Sequence, residues 1–294
     1  MTDKIIDGKV IAAAMKTEIA ARVAEMIDAN IEPPHLAALI VGDDPASLTY
    51  VASKERSCHQ VGITSSVYRL PETATEEEVL AMVDFLNADP DVDGFIVQLP
   101  VPKHINSDKI IERISPKKDV DGFHPYNLGM MQLGLPTFLP ATPFGIVEML
   151  KRSRVEVAGK HVVVLGRSNI VGTPISILLS RKSETGNATV TLCHSYTKNL
   201  EEITRQADIL IAAIGIPHFV KAQMVKKGAV VVDVGIHRIE DASNEKGYYI
   251  TGDVDFEEVE PIAGRITPVP GGVGLMTVVA LLHNTLLAAE KRNS

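Results

Sequence analysis

Short, strongly apolar runs alternate with helix-patterned segments along almost the whole chain, and this alternation restricts the fold more than any other feature. LAALIVG (36–42), the run at 66–70 and DGFIVQL (93–99) come first. HVVVLG (161–166), TVTLCH (189–194), DILIAAIG (208–215) and AVVVDVG (229–235) follow. Strands this apolar need cover on both faces, as in parallel sheets flanked by helices. Helix starts fall between them. Asp44 with Pro45 supplies an N-cap and a first helical residue for a helix running to about Gln60. Thr75 with Glu78 forms a capping box for a helix through Leu86. Ser107 precedes a short helix at 108–114, and Thr142-Pro143 opens another. Helical spacing also marks 10–27 and the segment from 274 to about 291, whose leucines and valines need a covering partner on the first domain.

The expected fold class is α/β, with two parallel-sheet domains and a cleft between them. Residues 1–140 plus the C-terminal helix 274–294 form one domain, and 141–273 form a Rossmann-like dinucleotide-binding domain. The length of 294 residues agrees, at roughly 150 per domain. Apolar residues at 45% and charged residues at 22% exclude a disordered or low-complexity chain. With 29 Lys+Arg against 37 Asp+Glu, the net charge of −8 argues against a nucleic-acid partner. Two cysteines, Cys58 and Cys193, cannot build a disulfide framework and point to a reducing compartment. The N-terminal segment lacks a signal-peptide pattern, and unbroken apolar runs such as 209–214 are shorter than the ~20 residues a bilayer demands. A cytoplasmic protein without a membrane partner is expected. The nine histidines show no H-x-x-x-H, and no Cys/His cluster has ligand spacing, so no metal is expected.

VVVLGRSNIVGTPISILLS passes from strand through a glycine turn into a helix. Gly166 permits the tight turn and Gly172 a close backbone approach. A helix N-terminus reached this way suits a pyrophosphate. The alternative is a strand–helix turn that needs glycine for geometry alone. NAD selection calls for a carboxylate at the end of the second strand, but that strand ends Cys193-His194-Ser195-Tyr196-Thr197-Lys198. Arg167 and Ser195 therefore fit the 2′-phosphate of NADP, the guanidinium offering a planar fork of donors. A solvated turn arginine is the other reading.

On the helix opened by Asp44-Pro45, Ser47, Tyr50 and Lys54 fall on one stripe about 60° wide at ~100° per residue. They lie near the C-terminal edge of the first strand, where open α/β sheets bind ligands. A solvated polar face would give the same spacing. Gln98, a polar amide ending an apolar strand, demands a partner if buried. Asp121 adds a carboxylate on a following loop.

YVASKERSCHQVGI, DGFIVQLPVPKHI, KDVDGFHPYNLG, PATPFGIVEML, GRSNIVGTP and PVPGGVGLMTV, in this order over nearly the whole chain, resemble the bifunctional methylenetetrahydrofolate dehydrogenase/cyclohydrolases. The resemblance implies NADP-dependent oxidation of 5,10-methylenetetrahydrofolate, then hydrolysis of the methenyl product to 10-formyltetrahydrofolate. It makes Lys54 catalytic, Tyr50 the ring stacked on the folate, Gln98 the lysine's hydrogen-bond partner and Asp121 the grip on the pterin. Ser47, Pro100, Pro270, Gly271, Gly272 and Thr277 join the folate-binding set. Gly166, Arg167, Ser168, Val171, Gly172, Ser195, Gly235 and Ile236 form the NADP set. Leu275 stands where the family usually has proline, and Ala141 where many members have cysteine. Relatives of this size are homodimers, so tetrahydrofolate derivatives and a second copy are the expected partners.

The chemistry suits these residue types. Hydride loss makes the folate more positive, which a cationic lysine would oppose and a neutral or proton-sharing one would not. A neutral amine can also take the proton from water attacking the methenyl carbon. Two rivals share the second domain. An NADP-dependent dehydrogenase of a small keto or hydroxy acid would not require Tyr50, Gln98 or Asp121. A nucleotide-sensing module would keep the site without turnover.

Overall fold

The computed structural model describes residues 4–241, 243–244 and 247–292. The ends of the expected domain ranges, 1–3 and 293–294, lie outside the described residues. Two units emerge, one joining Ala13–Ala141 to the described part of Val278–Ser294, the other joining the described residues up to Ala12 to Thr142–Thr277. The N-terminal residues thus part from the expected division. Ile5 forms a parallel bridge to Ile266, and Ile6 N donates to Ile266 O at 2.9 Å, so the chain start extends the second unit's sheet.

α1 (Gly8–Asp28) belongs to the first unit from Ala13 on, and β1 (His35–Val41), α2 (Pro45–Gln60), β2 (Thr64–Leu70), α3 (Glu76–Ala88) and β3 (Gly94–Val97) follow it there. The Asp44 carboxylate accepts from Ser47 N and Pro45 opens α2, while both halves of the Thr75–Glu78 box are made at α3. α4 (Ser107–Arg113) starts differently from expectation: Asn106, not Ser107, is the cap, its side chain accepting from Asp108 N and Lys109 N. α5 (Pro125–Gln132), capped by His124, has no counterpart among the expected elements. The sheet is parallel with order β2-β1-β3, so β1 is central and its carboxyl end flanks a switch point. Ala37, Leu39 and Val41 alternate onto one core with Phe95 and Val97, covered by Val79, Val83, Leu86, Ile110 and Ile114.

The second unit runs α6 (Ala141–Arg152), β4 (His161–Leu165), α7 (Gly172–Ser180), β5 (Thr189–Cys193), α8 (Leu200–Thr204), β6 (Ile209–Ala212) and β7 (Val230–Asp233). Next come β8 (His237–Glu240), β9 (Tyr248–Thr251), α9 (Phe256–Val259) and β10 (Arg265–Ile266). The expected four strands are joined by a fifth, in the order β10-β7-β6-β4-β5, and β8 and β9 form an antiparallel hairpin. β10 escapes sequence patterning because two residues carry no period. β4 pairs with β5 on one side and β6 on the other, which puts a switch point at its carboxyl end.

The last helix, α10 (Val273–Arg292), is long and apolar enough to cross a membrane by length and composition. Its apolar stretch is broken by Thr277, His283, Asn284 and Thr285, so no unbroken run in it exceeds that at 209–214. From Val278 onward it belongs to the first unit, with Val279, Leu282, Leu286 and Ala289 buried. Asn284 Nδ2 donates to Val120 O at 2.8 Å and Leu139 O at 2.9 Å, and Arg22 pairs with Glu290.

Candidate active site

Lys54 lies two and a half turns into α2, and the stripe it shares with Ser47 and Tyr50 turns inward. Its ammonium-bearing chain is only 6% exposed, and Ser47 is buried too. Lys54 Nζ donates to Gln98 Oε1 at 3.2 Å and stands 4.5 Å from the centre of the Tyr50 ring. Gln98 is the first residue beyond β3; its backbone N donates to Leu39 O at 2.9 Å, fixing it beside the central strand. Its own Nε2 donates to Leu99 O at 2.8 Å. That bond commits the amide nitrogen elsewhere and leaves the oxygen to face the lysine. The Leu99–Pro100 peptide is cis, and Pro100 is exposed just past the amide.

Burial sets the protonation of this group. Desolvation lowers the Lys54 pKa, while the Asp121 and Cys58 side chains push the other way. Tyr50 is raised by burial and then by Asp121, which keeps its phenol protonated. Asp121 retains some exposure yet is surrounded by protein, and desolvation pushes its carboxyl up to about 6; Lys54 pulls it down and Asp119 pushes it further up. Lysine, glutamine, tyrosine and aspartate thus form one coupled group in the first unit. It contains a buried amine with a depressed pKa and a carboxylate that ionises near neutrality.

In the second unit the glycine turn follows β4. Gly166 has φ +104°, and a Cβ there would stand 2.0 Å from Ala213 O. A Cβ on Gly172 would stand 2.0 Å from Gly166 O. Gly172 is therefore required by the turn's own close approach, the geometric need that the sequence left open beside a ligand. Ser168 Oγ accepts from Val171 N at 3.2 Å and Gly172 N at 3.3 Å. Arg167 and Ser195 are both exposed, each lying just beyond the paired strand ends Leu165 and Cys193. A guanidinium and a hydroxyl are thus exposed just beyond β4 and β5, with no carboxylate in 193–198. Gly235 is buried and Ile236 exposed beyond β7. Pro270, after a cis peptide, and Gly271, with φ +108°, precede α10, while Thr277 Oγ1 lies 2.9 Å from Thr142 Oγ1. Gly272 abuts Gly8, whose Cβ would stand 2.4 Å from Gly272 O. Leu275 is exposed and Ala141 buried. Among the described residues, no group of three or more His, Cys, Asp or Glu could hold a metal ion.

Sequence reasoning passed over several buried polar residues. Asp119 forms a bridge beside Phe95 and accepts from Phe123 N, His124 N and Asn127 Nδ2, so it shapes the loop that carries Asp121. Asp233 and Asp253 are also buried. The D-V-D spacing at 119–121 and the GDVD run at 252–255 were the available signals, since acidic residues next to apolar strand ends require donors.

Comparisons with known proteins place the chain in a family. Residues 6–121 match the profile of the tetrahydrofolate dehydrogenase/cyclohydrolase catalytic domain, and 140–293 match that of its NAD(P)-binding domain. A bifunctional protein FolD from Flavobacterium psychrophilum is 58% identical over 98% of this chain and 98% of its own. The FolD crystal structure from Campylobacter jejuni superposes with a TM-score of 0.91 at 47% identity, covering 98% of this chain and 99% of that one. The Trypanosoma brucei FolD, solved with NADP cofactor and inhibitor, gives 0.92 at 37% identity, covering 98% and 97%. With both profiles matched in order and the buried lysine and glycine turn each in its own unit, the chain belongs to the tetrahydrofolate dehydrogenase/cyclohydrolase family.

Proposed function

We propose that this chain oxidises 5,10-methylenetetrahydrofolate with NADP and hydrolyses the resulting methenyl compound to 10-formyltetrahydrofolate. The observation that carries the reading is the buried Lys54, its amine held by Gln98 and depressed in pKa, beside Tyr50 and Asp121. When bound, NADP supplies the hydride acceptor. Arg167 and Ser195 would hold its 2′-phosphate, and Gly166, Ser168, Val171, Gly172, Gly235 and Ile236 would line its path. An exposed arginine above two paired strand ends supports NADP over NAD.

Lys54 performs the proton chemistry. Desolvation that favours the neutral amine lessens the repulsion of the positive centre that hydride loss creates. In the hydrolytic step the amine donates one N–H to Gln98 Oε1, which directs its lone pair away from the amide. Water attacks the methenyl carbon as Lys54 Nζ accepts its proton and the C=N π pair moves onto nitrogen, general-base catalysis of about 10²–10⁴-fold. The C–N5 bond then breaks as the proton passes to N5, leaving the formyl group on N10 and the amine neutral again. Tyr50 offers its ring face to the folate, with Ser47 and Pro100 beside it. Asp121, ionised above about 6, accepts from paired N–H donors on the pterin and fixes its orientation. Pro270, Gly271, Gly272 and Thr277 complete the folate-binding set. The reading includes a cytoplasmic homodimer without nucleic-acid or membrane partners. The net charge of −8 supports the absence of nucleic acid, and light scattering measures the assembly.

Purified protein given methylenetetrahydrofolate and NADP should produce reduced nicotinamide together with a transient methenyl absorbance. Nicotinamide reduction with a small hydroxy acid and none with the folate would overturn the reading. NADP binding without turnover of either would do the same.

A further inference from the structure

Two buried carboxylates in the second unit have no part in the chemistry above. Asp253 is fully buried, and both its oxygens are engaged. Oδ2 accepts from Ile214 N at 2.6 Å and Gly215 N at 3.0 Å, the turn that leaves β6. Oδ1 lies 2.7 Å from Nε2 of His237, at the start of β8. Asp233, the last residue of β7, accepts from Gly235 N at 3.0 Å, Asp253 N at 2.9 Å and Val254 N at 3.0 Å. The backbone is cut to fit them. A Cβ on Gly235 would stand 2.3 Å from Asp253 Oδ1, and one on Gly252 would stand 1.9 Å from Asp233 Oδ2.

The turn that Asp253 holds is not remote from the nucleotide site. Ala213 N donates to Leu165 O at 2.9 Å, and the space a Gly166 side chain would fill is taken by Ala213 O. The segment Ala213–Gly215 therefore forms the opposite wall of the switch point whose first wall is the glycine turn. We infer that Asp253 is a positioning residue for the dinucleotide: its carboxylate fixes the turn after β6 at the distance from Gly166 that the pyrophosphate path requires. Asp233 and His237 hold Asp253 in turn, so the hairpin β8–β9 supports a wall of the site without touching the ligand. The inference rests on the NADP reading above.

The amide chemistry makes the idea separable from plain destabilisation. In Asp253→Asn, Oδ1 can still accept from both turn N–H groups while Nδ2 donates to a His237 tautomer protonated on Nδ1. In Asp253→Ala, both N–H groups lose their acceptor. Titration calorimetry of the full chain with NADP, with a thermal melt of each variant, distinguishes the cases. The dissociation constant should rise about 10-fold or more for Asp253→Ala and stay within about 3-fold for Asp253→Asn, with kcat at saturating NADP retained in both. Folded Asp253→Ala that binds NADP as tightly as wild type overturns the inference, as does an Asp253→Asn that binds no better than the alanine variant. If Asp253→Ala does not fold, His237→Ala decides: weaker NADP binding is expected, and an unchanged constant overturns the inference. Wild type that binds no NADP in the same titration would instead refute the NADP reading itself.

Discussion

Replacing Lys54 by methionine should separate catalysis from folding. Methionine keeps an unbranched side chain of similar length, so the buried volume on α2 is preserved. Two effects on stability oppose each other. The bond from Lys54 Nζ to Gln98 Oε1 at 3.2 Å is lost, worth about 0.5–1.5 kcal/mol net. Burying an amine, however, already disfavours the native state, because desolvation depresses the folded pKa below the unfolded one. Between those two values the unfolded chain binds more protons, so the penalty is full below the folded pKa and disappears above the unfolded value of about 10.4. At neutral pH methionine removes that penalty. The melting temperature should therefore be unchanged within about 2–4 °C, or higher. Activity responds quite differently. Losing a general base costs about 10²–10⁴-fold, or roughly 2.7–5.4 kcal/mol of barrier, in methenyl hydrolysis. The assay is the decay of methenyl absorbance in buffer that itself catalyses slowly, run beside NADP reduction and a thermal melt. Hydrolysis at the wild-type rate by folded Lys54→Met would refute the reasoning.

Other outcomes follow from the same structure. Folate affinity should weaken as pH falls below about 6, where Asp121 gains its proton, and level off above it; Asp121→Asn should weaken binding and flatten the profile, and a pH-independent wild-type constant would count against this role. Arg167→Ala should raise the Michaelis constant for NADP about 10–100-fold, from lost charge-assisted bonds, and leave that for NAD nearly unchanged; an equal rise for both cofactors would end the 2′-phosphate assignment. Asn284→Ala should lower stability by about 2–4 kcal/mol, since Val120 O and Leu139 O both lose their donor; denaturant titration measures it, and a loss below about 0.5 kcal/mol would show that other donors replace the amide.

What the sequence determined by itself is local. A β-rich apolar run declares a buried strand, and Asp44-Pro45 or Thr75 with Glu78 declares a helix start, because caps satisfy amides only a few residues away. The stripe of Ser47, Tyr50 and Lys54 is likewise a consequence of helical period, and the ordered motifs pointed to the family. Where signals compete within a turn, local reading slipped: Asn106 outcompetes Ser107 as the cap because its carbonyl reaches two amides. Tertiary structure decided the rest. Which face of α2 is buried, and hence that Lys54 loses its hydration while Asp121 is pushed up to about 6, depends on packing that no spacing encodes. The chain start pairs with Ile266, α10 supplies donors to Val120 and Leu139, and Asp253 clamps a turn near residue 214. Each of these joins groups far apart in the chain. Their partners are chosen by the need to satisfy buried polar atoms once the sheets have formed, and that choice exists only in the folded state.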